Sequence, residues 1–258
     1  MYNKYISFLT SVNGKVVFSN FVSLSVLQGL NVILPLITMP YLVRVLGAEY
    51  FGLLAIATSI IAYFSIITNY GFDITATREI SIHRDDKNRI DEIFSSVMLL
   101  KFFFLIISFV VLSVLIFSID KFSDNWGIYY LTFLTLIGQV LFPIWFFLGI
   151  EQMKYITYLN LVSKAIFTIL IFLLVRQQSD FYIVPILTSL GFLFVGIYAV
   201  FFIKNKFNVQ FKFQKPETLK YYLYGGWHIF TSNISVTLYT TTTIVLLGFF
   251  TNNTIVGY

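Results

Sequence analysis

The chain has 258 residues, of which 58% are hydrophobic and 11% charged, and it carries a formal net charge of +5 with no cysteine. This composition excludes an ordinary soluble globular domain, and the absence of cysteine excludes disulfides and thiolate chemistry. The basic residues are scattered along short loops, so the positive charge reports membrane topology and not nucleic-acid binding.

Long apolar windows recur along the chain, and a helix needs roughly 20 apolar residues to cross the hydrocarbon layer of a bilayer. The runs are continuous and not alternating, which favours helices over a transmembrane barrel. We therefore predict an all-α, polytopic transmembrane helix bundle. The predicted spans are 16–43, 50–72, 102–119, 125–150, 155–175, 181–203 and 221–258, with the third beginning earlier, near Ile93.

The distribution of basic residues predicts the orientation. If the N-terminus is cytoplasmic, twelve basic residues lie inside: Lys4, Lys15, Arg78, Arg84, Lys87, Arg89, Lys154, Lys204, Lys206, Lys212, Lys215 and Lys220. Three lie outside: Arg44, Lys121 and Arg176. The positive-inside rule therefore predicts a cytoplasmic N-terminus.

The first span contains Pro35 and Pro40, each of which removes a backbone hydrogen bond and bends a helix. This bend is either a static packing kink or a hinge. Arg44, Gly47 and Gly52 follow in a predicted tight turn into the second span, where the glycines suit a close helical hairpin and Arg44 reaches the outer headgroups.

The end of the second span places Asp73 four to five residues before Thr77 and Arg78, at the spacing of a pair on one helix face. One interpretation is a solvated helix end stabilised by local pairs. The other places Arg78 at the inner mouth of a cavity, where its planar donors suit a phosphate.

Two lysines, Lys101 and Lys164, lie inside predicted spans. A cation within the membrane is costly unless it faces protein, water or an anion, so each is a candidate functional residue. The alternative is that each side chain extends to the inner headgroups. Together they predict an aqueous, positively charged cavity.

The fourth span contains Pro143, which predicts a kink, and Gly149, which permits close helix contact. Further polar residues, Gln139 and Asn160 among them, are candidates to join helices or line a cavity. The sequence shows no catalytic constellation, metal-spaced cluster or cofactor motif, so we predict neither catalytic nor metal-binding residues and no cofactor.

The chain ends in what resembles the start of another element, and residues 45–52 are weakly similar to residues 246–257. We therefore predict two units: a six-helix lobe at 1–220, and the first helix of a truncated second lobe at 221–258.

Three motifs resemble the O-antigen and polysaccharide flippases, the Wzx-type branch of the multidrug/oligosaccharidyl-lipid/polysaccharide exporter superfamily. The motifs are LPLITMPYLVRVLG at 34–47 with YFG at 50–52, GFD at 71–73 with ATRE at 76–79, and PIWFFLGIEQM at 143–153. They occur in order over nearly the whole chain.

The resemblance implies a transporter of two six-helix lobes with a cationic central cavity in the bacterial inner membrane. Its substrate would be undecaprenyl-pyrophosphate-linked oligosaccharide for O-antigen or other surface polysaccharide. Transport would be driven by an ion or proton gradient or by removal of the product outside. Lys101, Lys164 and Arg78 would bind the pyrophosphate. Membrane lipids, a polysaccharide polymerase and a chain-length regulator are the expected partners.

Three alternatives stay open. A drug or organic-cation exporter of the same superfamily would need intramembrane carboxylates. A polytopic glycosyltransferase or polymerase would need a sizeable acidic loop outside the membrane, whereas residues 204–220 are basic with the single acid Glu217. The third is a non-functional gene fragment.

Overall fold

The computed structural model describes residues 12–257, with side chains from Lys15 onward except at position 249, and every regular element in that range is helical. The N-terminus predicted to be cytoplasmic, 1–11, lies outside the described residues. The elements are α1 (Val12–Asn69), α2 (Phe72–Ile82), α3 (Lys87–Ser118), α4 (Asp120–Ser123), α5 (Trp126–Leu141), α6 (Ile144–Gly149), α7 (Met153–Leu174), a 3₁₀ helix (Gln178–Tyr182), α8 (Ile183–Phe207), α9 (Pro216–Phe250) and α10 (Asn253–Gly257).

Helix α1 is broken at Gly47, whose φ of 75° and ψ of 168° lie in a region that side-chain-bearing residues avoid. The two arms of α1, 12–46 and 48–69, both meet the segment that precedes α8. The Tyr41 hydroxyl donates a 2.7 Å hydrogen bond to the Val175 carbonyl, and the Tyr50 and Phe181 rings stack 4.5 Å apart. The arm ends next to Gly47 therefore lie together at one end of the bundle, called here the Gly47 end.

The far ends of the two arms meet the opposite end of the bundle, called here the α6 end. The Asn20 amide donates to the Glu151 carbonyl at 3.2 Å, and the Ser65 hydroxyl donates to the Gln139 side chain at 3.0 Å. The arms therefore form a helical hairpin.

Six helices among the described residues are long and apolar enough to cross a membrane: Lys15–Ile82, Lys87–Ser118, Trp126–Gly149, Met153–Leu174, Gln178–Phe207 and Pro216–Gly248. The first has 68 residues and reverses at Gly47, so it supplies two crossings. The all-helical, polytopic prediction is confirmed, and the helices correspond to the seven predicted spans.

The first arm keeps helical dihedral angles through Pro35 and Pro40, and the chain reverses at the glycine instead. Thr38 donates its hydroxyl to the Leu34 carbonyl at 2.9 Å within the same turn. A hinge at either proline stays a prediction.

The predicted kink at Pro143 is a full break between α5 and α6, since Phe142 has extended dihedral angles. Gly149 lies against the side chain of Ile80 on α2, which leaves no room for a Cβ. The Thr77 hydroxyl donates to the Trp145 carbonyl at 3.2 Å. The second and third sequence motifs therefore pack directly on each other.

The apolar core forms two clusters. The cluster at the Gly47 end is centred on α1, α5 and the 3₁₀ helix, and includes Leu46, Ile56, Ile128 and Phe181. The cluster at the α6 end includes Phe72, Phe94, Trp145, Ile203 and Tyr222.

Helix α9 packs along the second arm and α3, and the Tyr63 and Thr242 hydroxyls share a 2.8 Å hydrogen bond. It begins at Pro216, four residues before the end of the predicted first lobe at 220. The division into 1–220 and 221–258 stays a prediction.

Helices α5 and α8 approach each other through glycines. A Cβ added to Gly138 would overlap the backbone of Phe192, and one added to Gly196 would lie 2.6 Å from the Gly138 carbonyl oxygen. Small residues of this kind let membrane helices pack backbone to backbone.

We expect Gly138→Val to destabilise the bundle by about 3 kcal/mol, because a branched side chain forces α5 and α8 apart. Gly225→Ala is the matched control, since a Cβ there meets nothing within 4 Å and the helix gains about 0.5–1 kcal/mol of propensity. Thermal unfolding in detergent measures both. Equal melting temperatures for the two variants would contradict this packing.

Candidate functional site

A groove of about 250 Å³ lies between the first arm of α1, α7 and α8. Its lining combines apolar side chains with a few polar groups near one lysine. The residues are Leu30, Asn31, Leu34, Pro35, Thr38, Asn160, Ser163, Lys164, Phe167, Thr168, Ile171, Thr188, Gly191, Phe192 and Val195. The predicted substrate residue Lys164 and the predicted hinge Pro35 therefore share one site.

The Lys164 ammonium donates a hydrogen bond to the Asn31 side-chain oxygen across the groove. An ammonium has three protons, so this bond leaves donors for a bound anion. Pro35 has no N–H, and the carbonyl of Asn31, four residues earlier, therefore lacks its ordinary helical donor. A cation on α7 and the Asn31 side chain on the first arm thus meet across the groove, in the turn where Pro35 leaves a backbone carbonyl without its helical donor.

Two other polar side chains of the groove lining donate hydrogen bonds within the protein. The Ser163 hydroxyl donates to the Gly191 carbonyl at 3.0 Å, and the Asn160 amide donates to the Ile156 carbonyl at 2.9 Å. Lys164 is therefore the groove's charged side chain, surrounded by hydrocarbon such as Phe167 and Ile171. This combination suits an amphiphile that carries an anionic group.

A second cavity of about 360 Å³ lies between the second arm of α1, α5 and α8. Thr188 and Phe192 line both cavities, so α8 stands between them. The lining of the second cavity has no charged residue and combines apolar side chains with hydroxyls and the Gln139 amide. The sequence indicated Gln139 and Asn160 as lining candidates but gave no signal for Thr188.

Lys101 lies in a different place from Lys164. Its side chain is 2% exposed, and its ammonium lies 3.9 Å from the carboxylate of Asp73, whose side chain is 47% exposed. Neither Lys101 nor Arg78 lines the groove. Among the described residues, the structure therefore brings Lys164 but not Lys101 into this groove, and the substrate-binding roles of Lys101, Lys164 and Arg78 stay predictions.

The carboxylate of Asp73 faces Lys101, which the sequence analysis did not anticipate. Thr77 donates its hydroxyl to the Asp73 backbone carbonyl at 2.6 Å, and Arg78 is exposed on α2. The predicted pair of Asp73 with Arg78 is thus replaced by a pair between two helices, α2 and α3.

Arg44 and Gly52, predicted to shape the outer turn, lie near the Gly47 end. Arg44 is exposed, and Gly52 is buried where a Cβ would collide with the Asn253 carbonyl of α10. The close approach at Gly52 is therefore to α10 and not to the other arm of the hairpin.

The loops at the α6 end are joined by an ion pair. Arg84 donates to the Glu151 carboxylate at 2.9 Å, and this hydrogen bond, with the opposite charge, raises the pKa of Arg84 above its ordinary value. Both side chains are more than 40% exposed, so the pair contributes little to stability.

Residues 17–258 match the profile of the family described as "Polysaccharide biosynthesis protein". The chain belongs to this family. The resemblance seen in the three sequence motifs is therefore confirmed, and the motifs of the polysaccharide biosynthesis protein family lie at the hairpin and at the contact of α2 with α6.

Two curated relatives share the name "Putative O-antigen transporter". The relative from Escherichia coli strain K12 is 31% identical over 238 residues, which cover 92% of this chain and 57% of the relative. The relative from Shigella dysenteriae is 26% identical over 239 residues, which cover 92% of this chain and 60% of the relative. This family member thus spans about three-fifths of the length of these relatives. No solved structure matches the chain.

Proposed function

We propose that the protein containing this chain is a flippase that moves undecaprenyl-pyrophosphate-linked oligosaccharide from the inner to the outer leaflet of the bacterial inner membrane. The observation that carries the proposal is the groove with Lys164 among hydrocarbon side chains. The names of the two relatives and the family match support the transport of polysaccharide precursors. The product would serve O-antigen or other surface polysaccharide synthesis.

The groove offers chemical groups that suit both the pyrophosphate and the lipid chain of this substrate. A pyrophosphate is anionic, and the attraction between opposite charges rises as water is excluded from between them. Lys164 offers a mobile ammonium for the phosphate, while Phe167, Ile171 and Phe192 offer apolar surface for a lipid chain. Arg78 is exposed at the α6 end, and because its planar guanidinium suits a phosphate we expect it to contact the anion outside the groove.

The orientation is part of the proposal. The α6 end contains the basic residues Arg78, Arg84 and Lys154, whereas Arg44 lies at the Gly47 end. The positive-inside rule therefore favours a cytoplasmic α6 end and a cytoplasmic N-terminus. A polymerase and a chain-length regulator would receive the cargo on the other side, and the protein itself would perform no covalent chemistry.

Deletion of the gene in its source organism tests the proposal. Surface polysaccharide is expected to disappear while lipid-linked oligosaccharide accumulates on the cytoplasmic leaflet, because synthesis continues without export. A plasmid copy of the gene is expected to restore the surface glycan.

The same deletion distinguishes the alternatives. Loss of the lipid-linked oligosaccharide itself would indicate a glycosyltransferase or polymerase. Unchanged surface glycan with increased retention of cationic dyes would indicate a drug exporter. Either outcome would overturn the proposal.

A further inference from the structure

A third cavity, a cleft at the α6 end, lies where α8 stops and residues 208–215 lead into α9. Its volume is about 430 Å³, and it is lined by Phe94, Val200, Ile203, Lys204, Val209, Gln210 and Phe211. Five of these side chains are apolar, and Lys204 is exposed in the last turn of α8. The cleft therefore combines a hydrocarbon surface with one cation.

The wall of the cleft formed by residues 208–215 is held firmly on α3. The carboxylate of Asp91, which is 3% exposed, accepts hydrogen bonds from the Gln210 backbone N–H at 2.9 Å and from the Lys212 ammonium at 3.3 Å. The Ser95 hydroxyl oxygen accepts the Lys212 backbone N–H at 2.9 Å. A buried carboxylate and a buried hydroxyl thus fix the position of this wall.

The same segment presents two phenylalanines outward. Phe213 is 89% exposed and Phe211 is 49% exposed, and their rings lie 5.8 Å apart. Moving a phenylalanine ring fully out of water is favourable by about 1.5–3 kcal/mol. Because residues 208–215 are fixed on α3, their exposed rings are stabilised when an apolar medium covers them.

The charge of the residues around the cleft indicates which kind of partner it binds. Residues 204–220 contain Lys204, Lys206, Lys212, Lys215 and Lys220 against the single acid Glu217. Lys212 is paired with Asp91, and Lys206 donates to the Tyr155 hydroxyl and lies over its ring. Lys204 and Lys215 are both exposed, and Lys204 is part of the cleft lining. The uncompensated positive charge fits an anionic partner that also carries hydrocarbon.

We infer that the cleft binds an anionic phospholipid. One acyl chain lies against Phe94, Ile203 and Phe211, and the phosphate meets Lys204. Phe213 enters the headgroup layer, and Lys215 adds a second contact with anionic headgroups. The inference does not depend on the proposed flippase function.

The test uses the purified full chain in nanodiscs of phosphatidylcholine with or without phosphatidylglycerol. The chain has no cysteine, so Gln214→Cys places a single fluorophore beside the cleft. Brominated phosphatidylglycerol is expected to quench this fluorophore more strongly than brominated phosphatidylcholine does.

Matched variants test the two halves of the site. Lys204→Gln and Lys215→Gln are each expected to lower the preference for phosphatidylglycerol about fivefold, the equivalent of ~1 kcal/mol per lysine near an anionic surface. Lys87→Gln makes the same charge change at the start of α3, outside the cleft lining, and is expected to leave the preference unchanged. Phe211→Ser is expected to reduce quenching by chain-brominated lipid of either headgroup.

Three results would overturn the inference. The first is equal quenching by the two brominated lipids in the parent chain. The second is an equal loss of preference in Lys87→Gln and Lys204→Gln. The third is removal of the preference by inorganic phosphate, which would indicate a site for a free anion. Circular dichroism of each variant confirms that its helices are retained.

Discussion

Replacing Asp73 by asparagine is expected to destabilise the folded chain by about 3 kcal/mol, the low end of the range for breaking a buried ion pair. The asymmetry of the pair explains the size of this effect. Lys101 is 2% exposed and relies on Asp73 at 3.9 Å for compensation of its charge, whereas Asp73 is 47% exposed and partly screened by solvent. Loss of the carboxylate leaves an ammonium enclosed by protein.

Lys101→Met is the informative counterpart. It removes the buried charge and keeps most of the side-chain volume, and the remaining Asp73 carboxylate still reaches solvent. Its effect on stability is therefore expected to be near zero or favourable, and Asp73→Asn combined with Lys101→Met is expected to recover most of the loss. Unfolding in detergent, followed by circular dichroism, measures all three variants. A loss in Lys101→Met as large as that in Asp73→Asn would contradict this account.

The same variants separate a structural role of Lys101 from the predicted role in binding substrate. If Lys101 only joins α2 to α3, the stable Lys101→Met variant is expected to export surface glycan normally. If Lys101 binds pyrophosphate, that variant is expected to insert and melt normally while surface glycan is lost. Surface glycan and melting temperature, measured on one variant, therefore decide between the two roles.

Much of the fold could be predicted because the bilayer imposes a length and a polarity on each span. The charge-free windows predicted the spans, and Gly47 and Pro143 marked two of the places where the helical backbone breaks. These features are local: a glycine with positive φ and a proline without an N–H act through the residues next to them.

The partners of the charged residues could not be predicted, because they depend on contacts between distant helices. Asp73 and Lys101 belong to different helices, whereas Thr77 and Arg78 lie on the same helix as Asp73 and are its nearer neighbours in the sequence. Lys164 and Asn31 are 133 residues apart and meet only because the first arm runs beside α7. The spacing of residues along a helix predicts contacts within that helix, but it does not predict contacts with another helix.

The contact between the second and third sequence motifs also depends on the packing of distant segments. The sequences of the GFD–ATRE and PIWFFLGIEQM motifs each predict the end of a helix. In each motif, contacts within the same helix would be enough to explain the polar residues. In the structure they form one contact, with Gly149 on Ile80 and Thr77 on the Trp145 carbonyl. This close approach accounts for the small residue Gly149 in one motif and for the hydroxyl of Thr77 in the other.

Lys164→Met is expected to have the largest effect on export. A hydrogen bond to a charged group contributes about 1.5–3 kcal/mol, so loss of the ammonium is expected to weaken anion binding in the groove by ~10- to 150-fold. Surface glycan in the gene-deleted strain, complemented with the variant, measures export, and membrane-fraction immunoblots measure insertion. We expect normal insertion with little or no surface glycan.

Three further variants make this prediction specific. Lys154→Met removes the same charge from the same helix outside the groove lining and is expected to export normally. Lys164→Arg keeps a cation in the groove and is expected to restore part of the export, because its donors can still bind a phosphate. Asn31→Leu removes the neutral acceptor but leaves the charge, so export is expected to fall less than in Lys164→Met. Normal surface glycan in Lys164→Met would remove the groove from the transport path, since no other charged side chain in its lining could bind the anion.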